Sequence, residues 1–300
     1  MRFKKLDLNL LVALDVLLAE LSITRAARRL NLSQSATSGV LARLRDYFDD
    51  EILVQVGRAM VATPLAESLA APVRNVLLQI QSTIETKPGF DPATSARHFT
   101  VIASDYPAAV ILAHCARELK RRAPNVTIEI IAPSESNAEL LDRAEVDLLI
   151  MPTKYLAADH PTEQLYTDTY TCVICDSNTA VGDSISLEQY MAMGHVSANF
   201  GATRQSSFEE WFLTSTGLTR RIEVSTSSFS TMPQFVIDTD RVATMHSRLA
   251  RVFAGYYPLR LLPPPMPIPL LTMHMQWHKS MDKDLSHVWL RALLRELAAS

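Results

Sequence analysis

The chain has 300 residues, 48% hydrophobic and 20% charged, with net charge −3, the balance of a folded protein of two or three domains rather than a disordered one. Its eight glycines (39, 57, 89, 182, 194, 201, 217 and 255) include no two placed two, four or five residues apart, which excludes G-x-G-x-x-G, the G-x-S-x-G nucleophile elbow and the G-x-x-x-x-G-K phosphate loop; H-E-x-x-H is absent as well. Three cysteines are too few for a disulfide framework, and no stretch of about 18 apolar residues predicts a membrane span, so cytoplasmic residence is expected.

The basic start, Met1 to Lys5, is followed by an apolar stretch in the manner of a secretion signal, but Asp7, Asn9 and Asp15 interrupt it. Leu10, Leu11, Leu14, Leu17, Leu18 and Leu21 recur instead at the spacing of an amphipathic core helix. A second helix is predicted over Thr24–Leu30. Asn31 to Ser33 makes a tight turn, with Ser33 placed as N-cap of a third helix running to about Phe48. Two short strands, 52–56 and 59–61, flank a tip at Gly57-Arg58. Pro64 opens a long helix in which Leu65, Leu69, Val73, Val76, Ile80 and Ile84 form a coiled-coil seam. Pro72 is expected to kink or interrupt it, and Lys87-Pro-Gly89 to end it.

From Phe99 the pattern becomes strands alternating with helices, which indicates α/β architecture. Strands are predicted at 99–103, 126–131 and 147–151, with helices at 107–122 and 138–144. A second block has strands at 170–175, 195–198 and 221–226, with helices at 206–214 and 233–238. The proline-rich run 262–269 reads as a stiff crossover. A strand at 270–274 and a helix at 285–298 close the chain. Cys172 and Cys175 form a C-x-x-C, but residues three apart on a strand face opposite ways, so no metal is expected there and no cofactor elsewhere. His114, Cys115 and Glu118 share one helix without the geometry of a catalytic triad; no catalytic residue and no enzyme activity are expected.

Three helices with a short turn before a polar third helix follow the helix-turn-helix plan, in which that helix enters the major groove of double-stranded DNA. Ser33, Gln34, Ser35, Thr37, Ser38 and Arg43 are the candidates for base and phosphate contacts from it, with Arg28 from the second helix. Arg58 at the hairpin tip is placed for the minor groove. The acidic whole-chain charge does not oppose this. Residues 1–62 carry nine Lys+Arg against seven Asp+Glu, a net +2, and the remainder carries −5. So weakly basic a module should depend on paired half-sites and groove contacts more than on bulk charge.

Leu6-Asp-Leu-Asn-Leu-Leu11, Ala26-Ala27-Arg28-Arg29-Leu30, Leu32 to Ser38, Leu44-Arg45 and Thr63-Pro64-Leu65 together resemble the LysR-type transcriptional regulators. Within them, the opening residues and Phe90-Asp-Pro-Ala-Thr-Ser95, Arg97 and Phe99 are similar to the group of nodulation regulators and activators of aromatic-degradation operons. Ser35 departs from the proline usual there, which adds a donor and removes rigidity. The resemblance implies a winged helix-turn-helix domain (1–62), a linker dimerisation helix (63–88) and a two-lobed effector domain like a periplasmic binding protein (89–300). Lobe I would span about 97–165 and 268–300, and lobe II about 166–267. It also implies a homodimer or homotetramer, RNA polymerase as a partner, activation of a catabolic operon, and a small aromatic effector, phenolic or chlorinated, between the lobes; no membrane partner is expected, since no stretch is long and apolar enough to span one.

Open α/β sheets bind ligands where strand ends meet at a lobe boundary. Ser104, Asp105 and Tyr106 follow the first strand, where a hydroxyl and free N–H groups suit a carboxylate or phenolate. Opposite them the candidates are Asn199, Phe200, Thr203 and His195, with Phe229, Met232 and Phe235 for a flat apolar ligand. The alternatives are a non-aromatic effector, an organic or amino acid, and a solute-binding protein with an added N-terminal domain.

Overall fold

A computed structural model of the chain describes residues 7–85, 89–200, 205–206 and 208–299, and all their side chains except those of 81–83, 85, 200, 205–206 and 208–211. It divides into two compact units, Met1–Lys87 and Pro88–Ser300.

In the first unit, α1 (Leu8–Glu20), α2 (Ile23–Arg29) and α3 (Gln34–Phe48) each begin on a capping side chain: Asp7 accepts from the Asn9 N–H, Ser22 from Arg25 and Ser33 from Ala36. Leu10, Leu14, Leu17, Ala26, Leu41 and Leu44 meet in one core with Ile52 and Leu53. Ala26 is fully buried, and a side chain this small lets the helices cross closely.

Strands β1 (Leu53–Val56) and β2 (Ala59–Ala62) pair antiparallel. At their tip Gly57 has φ +62°, a conformation that other residues resist. The Arg45 guanidinium donates to the carbonyls of Glu51 and Leu53 and so ties this hairpin to α3. Asp50 accepts from the Ile52 N–H at 2.6 Å and the Thr63 hydroxyl at 2.5 Å, fixing both ends of the hairpin.

Helix α4 (Pro64–Glu85) runs unbroken through Pro72, so the interruption expected there does not occur. The predicted seam divides. Val73 is buried, Leu69 and Leu77 pack on the unit's own core, and Arg74 pairs with Asp15 of α1 at 2.6 Å. Val76 and Ile84 remain exposed, lining with Gln79 and Ile80 a shallow apolar depression.

The second unit holds two sheets. Its chain order begins β3 (His98–Ala103), α5 (Asp105–Pro107), a π-helical turn (Ala108–Leu112), α6 (Ala113–Arg122), β4 (Thr127–Ile131), α7 (Asn137–Asp142), β5 (Leu148–Pro152) and β6 (Thr162–Asp168). It continues with β7 (Tyr170–Cys175), α8 (Leu187–Ala192), β8 (Gly194–Phe200), β9 (Gln205–Ser206), α9 (Phe208–Ser215) and β10 (Arg221–Thr226). A 3-10 segment (Phe229–Phe235), β11 (Val242–His246), α10 (Ser247–Ala254) and β12 (Leu259–Leu262) complete that part. After the proline-rich crossover, β13 (Leu271–Gln276) and α11 (Leu285–Ala299) return to the first part.

One sheet has the order β4-β3-β5-β13-β6 and the other β10-β8-β11-β7-β12, with β9 alongside β8. In the first sheet β3 pairs parallel with β4 and β5, and β13 antiparallel with β5 and β6; in the second β8 pairs parallel with β10 and β11 and antiparallel with β9, and β7 pairs antiparallel with β11 and β12. The sheets thus define two lobes, joined by the passage from Asp168 to Tyr170 and by the run between Leu262 and Leu271.

The helix expected at 233–238 is the 3-10 segment 229–235 instead, because Pro233 lies within it and cannot donate into an α-helical ladder. Strands β6 and β12 and helices α8 and α10 escape the sequence pattern, being polar, or too short to show a period. No helix among the described residues is long and apolar enough to cross a membrane.

Candidate functional site

Two regions collect the predicted residues. On α3, Gln34, Ser35, Ser38 and Arg43 are exposed, as is the cap residue Ser33. Ser33 Oγ lies 3.0 Å from Ser35 Oγ while accepting from the Ala36 N–H, so the serine standing in the usual proline position joins the cap. The Ser38 hydroxyl donates back to the Gln34 carbonyl at 3.0 Å. Thr37 is a correction: it is 0% exposed, turned into the three-helix core, and its hydroxyl donates to the Ser33 carbonyl. It cannot reach a base.

Arg28 on α2 and Arg58 at the hairpin tip are exposed. Their neighbours Arg25 and Arg29 both engage Glu20, at 3.1 and 3.3 Å. Hydrogen bonds from Arg25 and then Arg29 hold the Glu20 carboxyl below the usual carboxylate range. Two of these four arginines are therefore paired with an anion of the same unit.

The second region lies where the lobes meet. Ser104 precedes α5 but makes no capping hydrogen bond with its side chain. Asp105 instead brings a carboxylate to this point. Its Oδ2 accepts from the Ser228 hydroxyl at 2.6 Å and from the Ser230 N–H at 2.7 Å, both on the opposite lobe. Tyr106 is buried, and its hydroxyl donates to Asp168 Oδ2 at 2.7 Å. Asp168 also accepts the N–H groups of Thr169 and Arg248.

The Tyr106 ring stacks on His246 with centroids 3.9 Å apart and planes 10° from parallel. Phe229 meets His246 edge-on at 4.4 Å, and Tyr166 meets Tyr106 edge-on at 6.2 Å. Burial pushes the His246 imidazole down to about 3, so it is neutral, and burial pushes the Tyr106 phenol far up. Asn199, at the end of β8, donates to Ser225 Oγ at 2.8 Å. The lobe junction thus brings together a hydroxyl-rich turn, one carboxylate and a buried cluster of rings.

Other predicted residues lie elsewhere. His195 is fully buried at the opposite end of β8 from Asn199, with Nε2 2.7 Å from the Tyr190 carbonyl and its ring edge-on to Tyr190. Burial, aided by Arg220, pushes its imidazole down to about 4. It is a core residue of lobe II, because a strand's two ends lie too far apart for one cleft to use both. Met232 is fully buried in the apolar core, while Phe235 is exposed. The Phe200 side chain and Thr203 lie outside the described residues.

The sequence pattern does not single out Asp168, His246, Ser228 or Ser230. His246 ends a strand at the lobe boundary, where ligand-binding side chains gather, and only that position marks it. Cys115, Cys172 and Cys175 are free and buried. Among the described residues no group of three His, Cys, Asp or Glu is placed to hold a metal ion.

Residues 8–67 match the bacterial regulatory helix-turn-helix protein family of lysR type, and residues 93–299 match the LysR substrate binding domain. The whole chain is 45% identical to Nodulation protein D of Bradyrhizobium sp. (strain ANU 289), covering 89% of that protein. The structure is similar to that of a probable transcriptional regulator from Pseudomonas aeruginosa, at 28% identity and TM-score 0.66 over 98% of this chain and 97% of the other. It also shares its fold with CbnR, a regulator solved with its target DNA, at 12% identity and TM-score 0.52 over 98% of this chain and 100% of the other.

Proposed function

We propose, for a chain that belongs to the lysR family of bacterial helix-turn-helix regulators and is a DNA-binding transcriptional regulator rather than an enzyme, that it is a cytoplasmic activator of a catabolic operon switched by a small aromatic effector, phenolic or chlorinated. The single observation that supports the aromatic reading is the cluster of Tyr106, His246, Phe229 and Tyr166 beside the Asp105 carboxylate and the Ser228–Ser230 donors. Flat rings and hydroxyl partners together suit a phenolic ligand. Asn199 and Ser104 stand at the same lobe junction as further polar contacts.

Arg28, Ser33, Gln34, Ser35, Ser38, Arg43 and Arg58 are the proposed DNA contacts, with α3 in the major groove and Arg58 in the adjoining minor groove. The exposed Val76 and Ile84 edge of α4 pairs two copies across the seam, setting half-site spacing, and paired dimers form a tetramer. The domain limits 1–62, 63–88 and 89–300 follow this division of labour. RNA polymerase is the partner that an activator contacts.

Thermal-shift screening of phenols, hydroquinones, flavonoids and amino acids tests the effector class. A shift with ring compounds alone is expected; a shift with amino acids alone overturns the aromatic reading. Mobility shifts on the DNA upstream of the chain's own gene test the operator, with sequence-independent binding as the overturning result.

A further inference from the structure

Two consecutive residues of lobe I reach lobe II by different chemistry. Tyr106 is buried, and its ring lies flat on His246 while its hydroxyl is held by Asp168. Stacked flat rings tolerate sliding, because the attraction changes slowly with offset. Asp105 is only half-buried and takes two directional hydrogen bonds through one oxygen, from Ser228 and Ser230. Such bonds fail within a few tenths of an ångström of stretch or modest misalignment. A rotation of lobe II about the Tyr106–His246 stack that displaces the Ser228–Ser230 turn therefore parts Asp105 from its donors before the stack is lost.

The acceptor's partners are themselves firmly placed. The Thr226 and Thr231 hydroxyls lie 2.8 Å apart, the Ser228 N–H donates to Thr226 Oγ1, and the Thr231 hydroxyl donates to the Ser228 carbonyl. The turn from Thr226 to Thr231 is thus a rigid receiver built on lobe II, and the lobe I group it receives is the Asp105 carboxylate. A ligand seated between the lobes that offers hydroxyls or acceptors to this turn competes directly with Asp105.

We propose that Asp105 is a latch: it fastens lobe I to the Ser228–Ser230 turn of lobe II around the Tyr106–His246 pivot, and an effector switches the regulator by displacing it. This rests on the reading of the lobe junction as the effector site. Because an effector shifts the equilibrium only through differential contacts with the two arrangements, removing the latch shifts the regulator part of the way toward its effector-bound output.

The test uses the full-length protein without any ligand. Asp105→Ala is compared with wild type by amide hydrogen exchange over the Ser228–Thr231 segment, and by a reporter driven from DNA upstream of its own gene. Exchange about tenfold faster in that segment is expected from loss of the charged acceptor, with other strands of both sheets unchanged. Reporter output without inducer is expected to rise by about threefold or more. Ser228→Ala, which removes one donor from the other lobe, should give a weaker form of both effects, and the double variant should add little to Asp105→Ala.

Unchanged exchange at Ser228–Thr231 overturns the latch. Faster exchange with reporter output that holds steady or falls overturns its role in switching. If Asp105→Ala misfolds, Ser228→Ala decides both points. Neither arm contains a ligand, so an aromatic screen that comes out flat leaves them standing, and their own failure leaves the effector reading standing.

Discussion

The Tyr106 hydroxyl donates to Asp168 at 2.7 Å although the two residues are 62 apart in the chain. Asp168 ends β6 where the chain leaves lobe I, and the same carboxylate accepts the Arg248 N–H of lobe II. One hydrogen bond therefore joins the first helix of lobe I to the hinge. Tyr106→Phe keeps the ring stacked on His246 and removes only this bond. It should cost about 1–2 kcal/mol in urea denaturation, since Asp168 retains its backbone donors. Asp168→Ala strips the acceptor from a buried phenol and two N–H groups together, and should cost more.

On α3, the helix proposed to read DNA, the two faces separate by a single position. Thr37 is buried and Ser38 exposed. Thr37→Ala should lower stability by about 1 kcal/mol, through the lost methyl contacts and back-bond, while leaving sequence preference in mobility shifts unchanged. Arg43→Ala and Gln34→Ala should do the reverse, weakening specific operator binding by about 1–3 kcal/mol each where the contact is bidentate, with the melting temperature held.

Ser33 caps α3 through the Ala36 N–H and touches Ser35. Ser33→Ala should destabilise the first unit by about 1 kcal/mol. Ser35→Pro tests what the departure from the family's usual proline does. Proline at this second helical position has no intrahelical N–H bond to lose, so stability should hold, and any change should appear in operator preference.

Buried histidines set an acid limit. Burial holds His195 and His278 down at about 4 and His246 at about 3, against an ordinary value near 6.5. The folded state keeps these rings neutral while the unfolded chain protonates them. Their contribution is complete above about pH 6.5 and is lost progressively as pH falls toward 4, at roughly 1.4 kcal/mol per pH unit for each ring. Urea midpoints at pH 7, 6 and 5 should fall accordingly, and His195→Gln should flatten the slope.

Cys115 and Cys172 are pushed up to about 12 by burial. Native protein should therefore react with a thiol reagent at these positions only as fast as it opens, and should react fully in denaturant. Rapid modification in the native state would show local opening, of α6 in lobe I if Cys115 reacts and of β7 in lobe II if Cys172 does.

The local features of this protein were legible because short-range geometry decides them. A serine followed by a polar run announces a helix start, so the α3 cap at Ser33 and the exposure of Gln34, Ser35 and Ser38 could be read from residues a few places apart. Thr37 stands within a polar run, and only the placement of α1 and α2 shows that its face is the inner one. His195 is ambiguous in sequence for a related reason. A histidine beside a strand start looks the same whether that end faces a cleft or, as here, the Tyr190 carbonyl.

Alternating strands and helices, the capped trihelical start and the apolar seam of α4 were set by the sequence alone, since each depends on periodicity within one element. The lobe junction was decided by tertiary structure. Asp105 meets Ser228 across 123 residues and Tyr106 meets His246 across two sheets, and no local pattern encodes such pairings. They follow from strand register and from two chain crossings, which bring the ends of distant strands to one place. The same long-range packing divided the α4 seam, burying Val73 in its own unit while leaving Val76 and Ile84 exposed. Periodicity determines which side chains share a face, and only the assembled sheets and helices determine what that face meets.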